Sequence, residues 1–272
     1  MDEKLKELQK VQIEILTLID QICNENNLRY SLYAGTLLGA VRHEGFIPWD
    51  DDLDVCMPRE DYDRFIEIWN KNPQEGYLLQ NKENTPRFTQ SFSKIRKDHT
   101  TFLQYEFERD AYHTGIFVDI FPIDYIPNSK IKRTIFKGYC IVYQLLTREF
   151  IPKKANKVVQ LVSTTILGCV RGKKRDDLRR KLYKKITRYK TCKGYNMVAT
   201  ETIEMLNILY PSGLFDNMSK LKFENNEYSC FAEARKYLKL TYGNYMQLPP
   251  VEERVWKHHP IILDFEKNYG EE

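Results

Sequence analysis

The sequence predicts an α+β fold: a mixed sheet flanked by helices, with a helical segment inserted late in the chain. Three observations predict it. Apolar residues near the N-terminus recur at helical spacing. Between about residues 28 and 121, short aromatic and β-branched runs are separated by Gly and Pro, as strands are. From about 129 to 195, apolar and basic residues mix at helical spacing while Gly and Pro become scarce. The expected division is a core over 1–128 and 200–272 and a helical insertion over 129–199.

The elements follow in order. Leu5, Leu8, Val11, Ile15, Leu18 and Ile22 mark one face of an amphipathic helix of about 20 residues, ended by the polar stretch 24–27. Residues 29–33 are short and aromatic and read as a strand, broken at Gly35-Thr36. Leu37, Leu38 and Val41 suit a short helix ending near His43, with Gly45 beyond it as a stop. After Pro48, residues 49–57 read as an approach loop and a strand, and Pro58 ends it. Tyr62, Phe65, Ile66 and Trp69 share a side of a helix over 60–70. Further strands are expected at 77–80, 90–95, 100–105, 115–121 and 221–223, and a helix at 232–242. The remaining tail, rich in Pro, His and aromatics, reads as coil.

Composition sets bounds. Of 272 residues, 42% are hydrophobic and 29% charged, the balance of a soluble globular protein. A net charge of +4 is too small to argue for nucleic acid. Its distribution says more: 153–193 is strongly basic and 50–63 acidic. The six cysteines, Cys23, Cys56, Cys140, Cys169, Cys192 and Cys230, form no CxxC pair. They read as reduced core residues of a cytosolic protein, not zinc ligands. The polar N-terminus shows no signal peptide, and the longest apolar run, near 161–170, is too short to span a bilayer.

Chemistry concentrates in three places. The first is Asp50-Asp51-Asp52-Leu53-Asp54. Side chains alternate along a strand, so Asp52 and Asp54 are expected on one face, about 7 Å apart along the chain. Carboxylates that crowd together favour protonation unless a cation neutralises them, and oxygen-only clusters suit Mg²⁺ or Mn²⁺. A solvated acidic turn is the bland alternative, but the apolar flanks Ile47-Pro48-Trp49 and Val55-Cys56-Met57 bury the cluster in part. The second is Gly35-Thr36 at a strand-to-helix junction, where a backbone can cradle phosphate or a threonine can simply cap a helix. The third is Asp119 within the apolar run 115–122, which needs a partner: a metal, or a structural hydrogen bond.

Together these three signals resemble the nucleotidyltransferase superfamily, and in detail they resemble the LicD family. The run from Leu32 to Val55, LYAGTLLGAVRHEGFIPWDDDLDV, carries the resemblance, with GIFVDIFPID at 115–124 and YGNYMQLPPVEERVWKHHP at 242–260. The resemblance spans roughly 28–127 and 200–260 and implies a nucleotidyltransferase-like core. The family's acidic motif falls on Asp50, Asp52 and Asp54, and its later carboxylate on Asp119. LicD proteins transfer phosphocholine from CDP-choline to a sugar hydroxyl of a cell-surface glycan, teichoic acid or lipopolysaccharide, and release CMP; the related fukutin group uses CDP-ribitol. Where the family often has a Phe-Glu-Gly turn, this chain has Phe223-Glu224-Asn225-Asn226-Glu227.

The resemblance implies Mg²⁺ or Mn²⁺ held by Asp50, Asp52, Asp54 and Asp119. Asp52, Asp54 and Asp119 are the expected catalytic residues, with Asp119 able to accept the proton of the attacking hydroxyl. Gly35 and Thr36 are expected at phosphate. Arg42 and His43 end a helix near the acids, where they can reach phosphate or merely satisfy the helix terminus. Lys94 and Arg96 alternate on a predicted strand and face either the diphosphate or solvent. Arg254, His258 and His259 either contact substrate or pin the tail; Arg254 and His259 are the substrate candidates. The expected partners are a CDP-alcohol donor and a glycan or lipid-linked glycan acceptor, without nucleic acid. The insertion is either a helical subdomain or a peripheral contact at the inner membrane face of a cytoplasmic protein. The alternatives are nucleotidyl transfer with pyrophosphate release, a glycosyltransferase with a metal-binding Asp-x-Asp pair, and a non-catalytic scaffold. The Gly-Thr turn and Asp119 count against the glycosyltransferase, and four acids together against the scaffold.

Overall fold

The structure, a computed structural model, describes residues 3–105, 108, 113–149, 157–189, 196–202 and 204–271. Its elements are α1 (Glu3–Glu25), β1 (Ser31–Leu32), α2 (Ala34–His43), β2 (Asp54–Pro58), α3 (Arg59–Lys71), β3 (Tyr77–Gln80), β4 (Ser93–Lys97), β5 (Thr101–Leu103) and β6 (Phe117–Ile126). After them come α4 (Lys130–Arg148), α5 (Lys157–Cys169), α6 (Lys173–Ile186), β7 (Asn196–Ala199), β8 (Met218–Phe223), β9 (Asn226–Phe231), α7 (Ala234–Tyr242) and β10 (Ile262–Asp264). This is the α+β class, a mixed sheet flanked by helices. The chain forms two compact units. One comprises Met1–Gln80, Phe92–Pro122 and Gly213–Glu272; the other comprises Asn81–Ser91 and Ile123–Ser212.

The first unit is built on strands in the order β1-β2-β6-β4-β3. β4 runs antiparallel to both β3 and β6, so Lys94 sits opposite Gln80 on one side and Asp119 on the other. β2 and β6 lie in the middle, and every residue of both is buried. Strands covered on both faces read as apolar runs without alternation, as these do. α1 contributes Leu5, Leu8, Val11, Ile15, Leu16 and Ile19, and α3 contributes Tyr62, Phe65 and Trp69. Two antiparallel ribbons, β5–β10 and the β8–β9 hairpin, complete the unit.

Several boundaries depart from expectation. β2 begins only at Asp54, so Asp52 lies in the preceding loop and the two do not alternate along one strand. The left-handed cap of α2 is Glu44, with φ of 55°, not Gly45. β7, β9 and β10 are additional strands. α2 also carries a glycine for packing: a Cβ on Gly39 would lie 2.4 Å from the Gly45 carbonyl oxygen, so only glycine lets the loop leading to the acids fold back on the helix.

In the second unit, the end of β6 pairs antiparallel with β7, from Ile123 opposite Ala199 to Ile126 opposite Asn196. Its core gathers Ile126, Phe136, Cys140, Tyr143, Leu146, Leu182, Ile186, Val198 and Leu206. Arg179 pairs with Glu83 at 2.7 Å and Lys82 with Glu149 at 3.0 Å. Cys23, Cys56, Cys140 and Cys230 are buried as expected, Cys169 is exposed, and Cys192 lies outside the described residues. Among the described residues no helix is long and apolar enough to cross a membrane.

Candidate active site

The acidic loop is held from below by α1. On its otherwise apolar buried face, the Gln9 amide donates to the Asp50 carbonyl oxygen (2.9 Å) and the Gln12 amide to that of Asp51 (3.0 Å). At the other end, the Thr36 hydroxyl accepts the Asp54 backbone N–H at 2.8 Å. Thr36 lies in the first turn of α2, whose N-cap is Tyr33. The expected capping threonine is therefore a clamp that ties the start of β2 to the helix. Gly35 lies against the acids: a Cβ there would stand 2.9 Å from Asp50 Oδ2. Thr36→Val leaves the buried Asp54 N–H unpaired, at a cost of about 1–3 kcal/mol. Its melting temperature should fall by roughly 3–10 °C, and Thr36→Ser should restore most of it in a thermal melt.

Four carboxylates, Asp50, Asp52, Asp54 and Asp119, interact at this locus, with Asp51 beside them. Asp50 is pushed up to about 8, first by burial and then by the Asp52 charge and a hydrogen bond shared with Asp52. Asp52 is raised by burial, partly offset by His258 and reinforced by Asp119 and Asp51. Asp54 is raised well above the ordinary carboxylate value by burial, then by Asp52, Asp119 and Asp50. Asp119 Oδ1 meets the Lys94 ammonium at 2.6 Å. Lys94 also lies 3.4 Å from the centre of the Phe117 ring. Burial lowers its pKa despite Asp119, so this one buried cation offsets only part of the acidic charge.

Asp51 has a different job. It is fully buried, and its carboxylate accepts the backbone N–H of Lys257 (3.2 Å) and of His258 (2.9 Å) and faces His258 Nδ1 at 3.0 Å. His258 Nε2 then lies 3.7 Å from Asp52 Oδ2. Burial opposes protonation of His258, but the Asp51 hydrogen bond and the Asp52 and Asp51 charges outweigh it and hold the ring above its usual value. Asp51 shows the reverse: burial would raise it, and the bonds from His258 and Lys257 hold it below the usual range. Among the described residues, the group whose ligand atoms all lie within 4.8 Å of one another is Asp51, Asp52 and His258. Both oxygens of Asp51 are engaged with the tail, which leaves Asp52 and the His258 Nε2 edge facing the other acids.

The basic candidates divide. Arg42 donates to His43 Nε2 and to the Tyr245 carbonyl oxygen, both at 2.9 Å. Burial and then Arg254 lower Arg42, while Asp50 opposes them; burial and then Arg42 keep His43 below its usual value. Arg254 donates to the Pro249 carbonyl oxygen at 3.0 Å and stacks on Trp49, 5.4 Å from the ring centre. Both arginines therefore anchor the tail beside the acids. Arg42, Trp49, Tyr242, Tyr245 and Lys257 line a groove of about 490 Å³ next to Asp50. Arg96 is buried, donating to Gln80 Oε1 and to the Gly115 carbonyl oxygen at 2.7 Å each, so it does not lie on a solvated strand face. His259 is exposed, so the imidazole at the acids is that of His258.

Residues 27–151 match the family described as LicD/FKTN/FKRP, nucleotidyltransferase domain. Over these residues the chain is similar to the LicD family. It is also 28% identical, over 94% of its own length and 96% of the relative's, to the lipopolysaccharide cholinephosphotransferase LicD of Haemophilus influenzae. Uncharacterized proteins of Rickettsia typhi and Rickettsia prowazekii share 43% and 44% identity over 63 and 59 residues, under a quarter of each chain. All four acids, Gly35, Thr36 and Lys94 fall inside the matched LicD residues. Gln9, Gln12, His258 and most of the groove fall outside them. Two polar residues three apart on the apolar face of α1 were the sequence signal for Gln9 and Gln12. Nothing local marked Asp51 apart from its acidic neighbours.

Proposed function

We propose that the chain is a metal-dependent phosphotransferase that moves phosphocholine, or a similar alcohol phosphate, from a CDP-alcohol such as CDP-choline to a sugar hydroxyl of a cell-surface glycan, releasing CMP. The observation that carries this reading is the mutual electrostatic influence of Asp50, Asp52, Asp54 and Asp119, which raises the first three carboxyls, with the Lys94 ammonium against Asp119. The full-length likeness to a lipopolysaccharide cholinephosphotransferase supports phosphocholine as the group moved and lipopolysaccharide as the acceptor.

Mg²⁺ or Mn²⁺ fits this donor set, because oxygen ligands that repel one another into protonation are the kind a hard divalent ion neutralises. Asp50, Asp52, Asp54 and Asp119 would hold it. When bound, such an ion offsets charge on the diphosphate and on the departing CMP. The protein's own groups position the reaction. Thr36 fixes the Asp54 backbone, Gln9 and Gln12 fix the loop, and Gly35 leaves room for the Asp50 carboxylate. Asp119 is the proposed acceptor of the sugar hydroxyl proton, with Lys94 holding the carboxylate in place. The groove beside Asp50 suits the donor: Trp49, Tyr242 and Tyr245 offer faces to a ring, and Arg42 and Lys257 offer charge to phosphate.

The test is release of CMP from CDP-choline in the presence of Mg²⁺ and a choline-free lipopolysaccharide acceptor, with CDP-ribitol and CDP-glycerol as competing donors. Chelation or the double change Asp52→Ala with Asp54→Ala should stop it. Release of pyrophosphate from a nucleoside triphosphate, or full activity in the double variant, would overturn the proposal.

A further inference from the structure

The helical unit is charged unlike the rest of the chain. α4, α5 and α6 together carry fourteen Lys and Arg against two acids, Asp176 and Asp177. The whole chain is only +4, so everything outside these helices is net negative. Some of the arginines are neutralised within the unit, Arg179 by Glu83 and Arg175 by Glu149. Lys130, Lys132, Lys157, Lys173, Lys174 and Lys184 are exposed.

Large aliphatic side chains lie exposed on the same helices. α4 spends Phe136, Cys140, Tyr143 and Leu146 on the core of its unit, yet leaves Ile131 at 75% and Ile135 at 48% exposure one helical turn apart, with Lys130 and Lys132 flanking the first. α5 packs Ile166 and Leu167 against the same core yet leaves Leu161 at 69% and Val162 at 51% exposure. Every exposed large apolar residue described on these three helices is Ile, Leu or Val, and none is aromatic. Lysines interleaved with aliphatic side chains match a surface that is anionic outside and hydrocarbon beneath. A nucleic acid partner would draw on the cations but has no use for exposed isoleucine.

We propose that the helical unit docks on an anionic lipid surface, with Ile131, Ile135, Leu161 and Val162 entering the interfacial layer and the lysines meeting headgroup phosphates. This does not rest on the choice of donor or acceptor. It is tested by co-sedimenting the full chain with phosphatidylcholine vesicles with and without about a third phosphatidylglycerol. The bound fraction should rise about tenfold or more with the anionic lipid and fall with added salt. Ile131→Asp with Ile135→Asp should abolish most of the binding, and Lys173→Glu with Lys174→Glu should weaken it. Leu161→Asp with Val162→Asp provides a second aliphatic variant should the first fail to fold in a thermal melt. Equal binding to neutral and anionic vesicles would overturn the proposal. So would folded aliphatic variants that bind vesicles as well as the unaltered chain, which would mark the basic helices as a general polyanion surface; heparin binding would then report it.

Discussion

Asp54→Asn should make the metal-free protein melt at a higher temperature at pH 8 and should remove the stabilisation that Mg²⁺ gives the unaltered chain. The carboxyls of Asp50, Asp52 and Asp54 are all raised above their ordinary value of 3.8, Asp50 to about 8. A carboxyl with a raised pKa binds more protons folded than unfolded between those two values. Its stabilising contribution is complete below about pH 4 and is lost as pH rises through the folded value. His258, also raised, acts in the same direction. Asp119 and Lys94 also face the cluster, and Asp54→Asn leaves their mutual ion pair in place. Metal-free protein should therefore melt lower at pH 8 than at pH 5. Taking one charge out of the cluster relieves on the order of one pK unit, about 1.4 kcal/mol, or roughly 2–4 °C in a chain of this size. Mg²⁺ at about a hundredfold over its Kd adds about 2.7 kcal/mol to the unaltered protein, roughly 5–10 °C, with more effect at pH 8 than at pH 5. Transferase activity of Asp54→Asn should fall about a thousandfold or more, since a metal in such a site contributes several kcal/mol. Calorimetry across pH with and without Mg²⁺ checks the sign. A melting point that rises with pH, or an Mg²⁺ response retained in the variant, would show that these acids do not crowd a common cation site.

Much of the fold was legible because its signals are local. The stripe on α1 and the aromatic face of α3 are set by spacing alone, and the apolar run of β6 announces a strand covered on both sides. What could not be read depends on distant partners. β10 exists because Ile262 finds Leu103, and β9 because Tyr228 finds Leu221 across a turn of Glu224 and Asn225 that lacks the expected glycine. Three successive aspartates look interchangeable in sequence, yet the fold separates them. Asp50 leans on Gly35 and Asp52, whereas Asp51 turns away to bind backbone more than 200 residues later. Strict alternation along a strand put Asp52 beside Asp54; the structure instead leaves Asp52 in the loop before β2, where it influences Asp54 through its charge while its close ligand-atom neighbours are Asp51 and His258.

That separation predicts the second large effect. Asp51→Ala should destabilise the protein by about 3–5 kcal/mol, because it removes three interactions at once and leaves a partly buried, protonatable His258 with only the more distant Asp52 as counter-ion. The melting temperature should drop by roughly 10 °C or more. The loss should be local before it is global. The amide hydrogens of Lys257 and His258 lose their acceptor, so hydrogen exchange should accelerate there and in the neighbouring tail, where Tyr245, Pro249, Pro250 and Lys257 wall the groove. Asp51→Asn keeps one oxygen for a backbone N–H and should fall between the two. The same experiment distinguishes a pin from a metal ligand, since Asp51 also belongs to the tight group with Asp52 and His258. If Asp51 mainly held a cation, Asp51→Ala would erase the Mg²⁺ response while tail exchange stayed as it was. If it pins the tail, exchange rises even without metal, and Asp50, Asp52, Asp54 and Asp119 still give a weakened Mg²⁺ response. Its two carboxylate oxygens, both turned toward the tail, favour the pin.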